Sequence, residues 1–511
     1  MTKAKLKQQT QFQAVLPAYI LDTIRTLYDA GFSVEIVGGP VRDLLMGAKP
    51  SSIKNWDLAT DALPEEMMKL FAARSAFYEN EFGTVTIPFK LDPTNDKLVT
   101  EVEITPYRVE SRYSDKRHPD KVTFTKSLEE DLARRDFTVN AMALRIRKEE
   151  QKSTEDGVLC NIIDLYDGQG DIERQIIRAV GAPQDRFNED ALRMLRAVRF
   201  ATTLGFTIEV QTLAAIKAQA HDLQAISGER IRDEFNKVIM SPRPREGIEL
   251  LRETGLLNYV MPELEEGIGI GQRGDHKYDV YTHSLLAAQY AADQNYHLEL
   301  RLAALMHDVG KPRTRELKGG IYTFYAHNTV GEDMAKKIMQ RLKYSGNEIE
   351  KVTALIRHHM FFYDTEEVSE SGVRRLLRRV GPENMQELLK LRILDRKATP
   401  VPKDKPYKLR HLEFMLEKVA EDPLDVKQLK IDGSDIMRLL KIEPGPIIGL
   451  LLKALLFDVI DDPKRNTKKY LEKRAKERGT ESPEKLQKFV NKLYAHEDER
   501  VQGLKSKHWV K

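Results

Sequence analysis

At 511 residues the chain is too long for one hydrophobic core, so about three or four domains are expected. Its residues are 41% hydrophobic and 32% charged, yet the net charge is only +3, so an RNA partner would need a local basic surface. Cys160 is the only cysteine, which excludes an internal disulfide and a cysteine-based zinc site and leaves His, Asp and Glu as metal ligands.

The polar start, MTKAKLKQQTQFQAV, lacks the apolar stretch of a signal peptide. Tyr19 to Ala30 has helical spacing of apolar residues, Gly31 ends it, and Ser33 to Val37 reads as a strand running into Gly38-Gly39. Thr84 to Phe89 and Val99 to Tyr107 are further predicted strands, and Phe137 to Ile146 is a fourth apolar stretch. These elements predict an α/β or α+β head over residues 15–150. From about Asn188 apolar residues recur at three and four, which predicts a nearly all-helical remainder. The Gly-rich break Gly267 to Asp275 and the Pro/Lys-rich Pro400 to Pro406 divide that remainder into 151–265, 266–400 and 401–511. The longest largely apolar run, Ile447 to Leu456, is too short to span a bilayer, and a cytoplasmic protein without a membrane partner is expected.

Gly38-Gly39-Pro40-Val41-Arg42-Asp43 joins a predicted strand to a predicted helix. Paired glycines allow close backbone approach to a phosphate, and Arg42 could add a charged contact; the motif alone fits a tight turn with a surface Arg equally well. Asn55-Trp56-Asp57 follows; in a strand, positions 55 and 57 would share a face. Glu103 lies on another predicted strand. Acids placed this way can hold two Mg²⁺ ions for in-line phosphoryl transfer, although two acids on strands are common. Arg134-Arg135-Asp136-Phe137-Thr138-Val139-Asn140-Ala141 packs charge into an apolar segment, which requires a ligand or a tight ion-pair network. Glu189 to Phe200 is predicted as one helix, with Asp190 a turn before Arg193 and with Arg193, Arg196 and Arg199 along one side.

In this order, GGxVRD, the acid pair, RRDFTxNA and EDxxR resemble the class II CCA-adding tRNA nucleotidyltransferases and related bacterial poly(A) polymerases over about the first 250 residues. The resemblance implies template-independent addition of CCA to the 3′ end of tRNA from CTP and ATP. It implies nucleotide binding by Gly38, Gly39, Arg42, Arg135, Asp136, Asn140, Glu189, Asp190, Arg193, Arg196 and Arg199, with Asp190 and Arg193 reading the base edge. It implies metal binding and catalysis by Asp57, Glu103 and the residue at position 55. The family has Asp at that position; this chain has Asn55, which keeps one carbonyl oxygen and loses the charge. Arg108 to Lys121 matches the family's flexible loop. The base-reading logic is also sound chemically, since Asp offers only acceptors and Arg only donors.

A second constellation comprises His283, His307-Asp308, His327, His359 and Asp395, ordered as in HD phosphohydrolase domains, which it resembles over about residues 278 to 398. The resemblance implies a second divalent metal, of unspecified identity, that activates water against a phosphoester. The tail from Leu429 to Gly449 also resembles the CCA-adding family and implies a grip on the tRNA elbow; no DNA partner is expected. Two rival readings are a poly(A) polymerase or C-only or A-only enzyme, and an HD phosphohydrolase whose head has weakened catalysis.

Overall fold

Alternating apolar residues on eight short segments build a mixed sheet in the first half of the chain. A computed structural model describes residues 10–78, 83–90, 99–111, 121–147, 157–272, 278–361, 363, 369–399, 407–419 and 425–491. Most of the predicted flexible loop, all of the Pro/Lys-rich break and the last three residues of the Gly-rich break fall outside the described residues. The chain divides into two compact units, Met1–Met261 and Pro262–Lys511.

The first unit opens with β1 (Gln11–Ala14), α1 (Ala18–Asp29), β2 (Val34–Val37), α2 (Gly39–Leu45), β3 (Trp56–Thr60) and α3 (Pro64–Leu70). There follow β4 (Phe77–Tyr78), β5 (Val85–Lys90), β6 (Val99–Pro106), β7 (Arg108–Ser111), β8 (Lys121–Phe124), α4 (Leu128–Ala133), β9 (Met142–Ile146) and β10 (Val158–Asp164). The unit closes with α5 (Gly168–Glu173), β11 (Ile176–Ile177), α6 (Pro183–Glu189), α7 (Leu192–Leu204), β12 (Thr207–Ile208), α8 (Val210–Gln219), α9 (Gly228–Ile239), α10 (Pro244–Glu253) and α11 (Leu257–Val260).

The main sheet runs β1-β10-β9-β2-β3-β6-β5-β4, and β3 with β6 is its one parallel pair. Because side chains alternate across a strand, each strand feeds two environments. Trp56 and Leu58 of β3 join Ile36, Val102 and Ile104 in a core with Ile20, Ile24 and Leu27 of α1. The opposite face carries Val37, Ala59 and Ala143, covered by Leu128 and Leu132 of α4 and by Tyr107. Asp57 shares that second face with Ala59, two positions along.

The second unit contains α12 (Val280–Asp293), α13 (Leu298–Met306), β13 (Glu316–Lys318), β14 (Ile321–Thr323), α14 (His327–Arg341), α15 (Gly346–His358), α16 (Glu370–Val380) and α17 (Pro382–Lys397). Its last elements are α18 (Tyr407–Val419), α19 (Gly433–Leu440), α20 (Pro446–Asp461) and α21 (Lys468–Arg478). The apolar run around Ile447 to Leu456 lies within α20, where Leu451, Leu455 and Val459 pack with Ile436, Leu471 and Ala475. Among the described residues no helix is long and apolar enough to cross a membrane.

Two local expectations are corrected. Asn55 lies before β3, which begins at Trp56, and it is exposed, so strand alternation does not place it on the face of Asp57. The predicted single helix over Glu189 to Phe200 is two helices. α6 stops at Glu189, Asp190 is extended at φ −145°, and α7 starts at Leu192. Asp190 accepts the Leu192 amide at 3.0 Å, so it satisfies an open donor at the start of α7 and does not ride along the helix.

Candidate active site and metal centre

The head site forms where β2 passes into α2. Gly38 holds φ +74°, which favours glycine, and a Cβ there would lie 3.2 Å from Arg135 Nη1 and 3.6 Å from Asp57 Oδ2. The turn, the carboxylate and the guanidinium therefore meet within one small volume. Asp57 and Glu103 are direct partners across the parallel pair β3–β6, so their side chains leave the same face of the sheet side by side. Burial pushes the Asp57 carboxyl up, and Arg135 opposes that shift.

An arginine array surrounds this point, and each member has a fixed partner. Arg42 donates to Asn140 Oδ1 at 2.7 Å and to Asp43 Oδ1 at 2.7 and 2.9 Å. Asp131, almost fully buried within α4, accepts from Arg134 at 2.6 Å and from Arg135 at 2.9 Å, which fixes Arg135 beside Gly38. Asp136 accepts from Arg196 Nε at 2.7 Å, from the Phe137 amide at 2.8 Å and from Asn140 Nδ2 at 3.4 Å. Burial would raise Asp136, but Arg196 and Arg193 outweigh it and hold the carboxyl down to about 2. Phe200 sits at the centre of the array, with Arg199 3.7 Å, Arg42 5.2 Å and Arg196 5.4 Å from its ring centroid.

The base-reading pair is held separately. Asp190 accepts from Arg230 Nη2 at 2.8 Å, while Arg193 bonds Glu189 and the carbonyls of Arg186 at 3.3 Å and Arg134 at 3.1 Å. Arg199 pairs with buried Glu234 at 2.6 Å. Thus α9 holds Asp190 ahead of α7 through Arg230, and the far end of the α7 arginine stripe through Glu234. Asp131, Arg230 and Glu234 were not among the expected site residues. The spacing of Arg230 and Glu234 by one helical turn in ERIRDEFNKVI was the available signal.

All six expected ligands of the second constellation converge. His283, His307 and Asp395 form one group and Asp308, His327 and His359 another, each with ligand atoms within 4.8 Å of one another. Asp308 faces both: its Oδ2 lies 3.3 Å from His307 Nε2 and 3.5 Å from His283 Nε2, and its Oδ1 lies 3.5 Å from His327 Nε2 and 3.7 Å from His359 Nε2. Each Nδ1 is bonded to a main-chain carbonyl: Ala398 at 3.1 Å for His283, Ala304 at 2.8 Å for His307, Phe324 at 2.8 Å for His327 and Ile356 at 2.7 Å for His359. That arrangement turns all four Nε2 atoms inward, which suits a cation. Burial would lower His307, yet Asp308 and Asp395 raise it to about 10; burial takes His327 down to about 3. Gly310 permits the packing behind the centre, since a Cβ there would lie 2.2 Å from the His327 carbonyl oxygen.

A mixed sheet with paired carboxylates at its parallel step, a glycine turn and an arginine array defines the nucleotidyltransferase class of head. Residues 34–178 match the Poly A polymerase head domain, 205–268 the probable RNA and SrmB-binding site of polymerase A, and 280–398 the HD domain. The chain is 32% identical over 485 residues to a CCA-adding enzyme of Ligilactobacillus salivarius, covering 91% of this chain and 98% of that one. It is 37% identical over 350 residues to an A-adding tRNA nucleotidyltransferase of Deinococcus radiodurans, covering 66% of this chain and 76% of the relative. The crystal structure of the Bacillus stearothermophilus CCA-adding enzyme in complex with CTP superposes with a TM-score of 0.64 at 28% identity, covering 90% of this chain and 96% of that chain. The chain belongs to the family of CCA-adding enzymes and their poly(A) polymerase relatives.

Proposed function

We propose that the protein adds CCA to the 3′ end of tRNA from CTP and ATP, without a nucleic-acid template. The observation that carries this reading is the Asp57–Glu103 pair beside the Gly38 turn and Arg135, in a chain that matches CCA-adding enzymes over most of its length. The 3′-hydroxyl oxygen attacks the α-phosphate, the bond to the bridging oxygen breaks, and pyrophosphate leaves. Asp57 and Glu103 would hold Mg²⁺, which supplies acidification of the hydroxyl and charge neutralisation at the leaving group. Gly38 and Gly39 admit the triphosphate close to the main chain, and Arg42 and Arg135 bind its oxygens. Asp190 and Arg193 read the Watson–Crick edge of the incoming base, and Arg196 and Arg199 contact ribose or phosphate. Arg230 holds the Asp190 carboxylate in place, whose remaining lone pairs are available to the base.

Residues 15–150 would carry nucleotidyl transfer, 151–265 base selection, 266–400 hydrolysis of a phosphoester and 401–511 the grip on tRNA, all in the cytoplasm. In the HD centre, His283, His307 and Asp395 would hold one divalent cation and Asp308, His327 and His359 a second, which would supply activation of water against the phosphoester. Metal analysis of protein stripped and reloaded with Mn²⁺ should show two tightly held ions, with the second lost in Asp308→Ala; one ion in the wild type would refute the pair.

A second reading, addition of A alone, is favoured by the similarity to the Deinococcus A-adding enzyme. Purified protein, tRNA lacking CCA and labelled CTP or ATP, with product length read on a gel, decides between them. CTP incorporation followed by A supports CCA addition. Extension only of tRNA already ending in CC supports A addition.

A further inference from the structure

We propose that the β13–β14 hairpin is a binding platform for single-stranded RNA that delivers a phosphoester to the HD centre; the delivery rests on the hydrolytic reading above. The hairpin is inserted between two ligands of that centre, Asp308 and His327. Its Gly319-Gly320 turn has φ +57° and +78°, consecutive left-handed residues of the kind that close a tight two-residue hairpin. Its base is tied to the metal ligands at two points. Lys311 Nζ donates to Asp308 Oδ2 at 2.6 Å and lies 5.9 Å from the Phe324 ring centroid, and the Phe324 carbonyl holds His327 Nδ1.

A two-stranded ribbon has no layer in which to hide apolar side chains, and here Leu317 is 62%, Tyr322 43% and Tyr325 67% exposed. Cations are interleaved with them: Arg315 stands beside Tyr322, while Lys311 pairs with Asp308, Arg313 with Glu266 at 2.6 Å and Lys318 with Glu316 at 2.7 Å. Leu317 and Tyr322 are cross-strand partners and so share a face. Arg315 stacks on Tyr322 at 3.7 Å from its centroid, and among the described residues its buried Nε has no hydrogen-bond partner. Lys318 lies 5.2 Å from the Tyr325 centroid. Aromatic rings for stacking bases, alternating with cations for phosphates, are the chemistry that single-stranded nucleic acid recognises. The exposed tyrosines, with the Arg315 guanidinium stacked on one of them, favour that occupant over an uncharged protein surface.

The test uses the intact protein loaded with Mn²⁺, a mixed-sequence oligoribonucleotide and bis(p-nitrophenyl) phosphate as two hydrolysis substrates. A 4-thiouridine version of the oligonucleotide is photo-crosslinked and its sites are mapped by mass spectrometry. Tyr322→Ala and Arg315→Ala should each raise KM for the oligonucleotide about tenfold, with kcat and the small diester unaffected, while Tyr322→Phe keeps the wild-type KM. Crosslinks should fall within residues 315–325. Unchanged KM, or crosslinks confined to other regions, would overturn the platform. If neither substrate is hydrolysed, the hydrolytic reading fails while the crosslinks still decide the platform. If Tyr322→Ala changes only the oligomeric state and no crosslink reaches the hairpin, the surface is a protein interface and the proposal falls.

Discussion

Asp136 shows how a single carboxylate organises the head. It is buried against Arg196 and held down to about 2, well below an unfolded Asp near 4. A depressed carboxylate stabilises the fold fully above about pH 4, and that contribution disappears as pH falls toward 2. Asp136→Asn should therefore lower stability at neutral pH by about 2 kcal/mol and flatten the dependence between pH 4 and 2, measured by urea unfolding across pH. Arg193→Ala makes a different prediction, which follows from the base-reading role proposed for it. Discrimination against UTP and GTP should fall while tRNA affinity holds, read from single-nucleotide incorporation; an unaltered nucleotide preference would remove its base-reading role. Single residues with fixed chemistry were legible in the sequence: His307-Asp308, Gly38 and Asp57 are where their motifs placed them. Their supports were not. Asp131, Arg230 and Glu234 are ordinary charged residues until packing brings them to Arg135, Asp190 and Arg199, and spacing alone does not encode that encounter.

Between elements, the contact of α9 with α7 carries more than one role. Glu234 is buried and binds both Arg199 and Lys237. Glu234→Ala leaves Arg199 buried without its acid, and unfolding midpoints should show a loss of about 3 kcal/mol. The break between α6 and α7 was illegible because Glu189 to Phe200 has unbroken helical periodicity. Asp190 leaves the helical region while the apolar pattern continues, since its side chain turns to the Leu192 amide and Arg230. The start of β3 carries a related consequence. Asn55 stands outside the strand, so Asn55→Asp tests whether that position reaches the metals at all. Higher turnover and a lower Mg²⁺ requirement with unchanged CTP affinity are expected; no change in either would place position 55 outside the metal shell.

At the scale of the whole chain, the nucleotidyltransferase head lies in one compact unit and the candidate metal centre in the other. His307→Ala should abolish metal-dependent phosphoester hydrolysis and leave CTP incorporation intact, assayed on one preparation. Joint loss in a folded variant would show that the centres are coupled. The helical character of the second half was legible in its periodicity, and the mixed sheet of the first in its alternation; the parallel step between β3 and β6 was not, because a strand's direction is set by its partners. One further feature has practical value. Cys160 is the only cysteine and is fully buried in β10, so the protein presents no reactive thiol of its own. A cysteine placed on the surface of each unit would then be the only pair to take up fluorophores. Energy transfer between the two dyes could follow the relation of the units as nucleotide and RNA bind, with no background labelling to subtract.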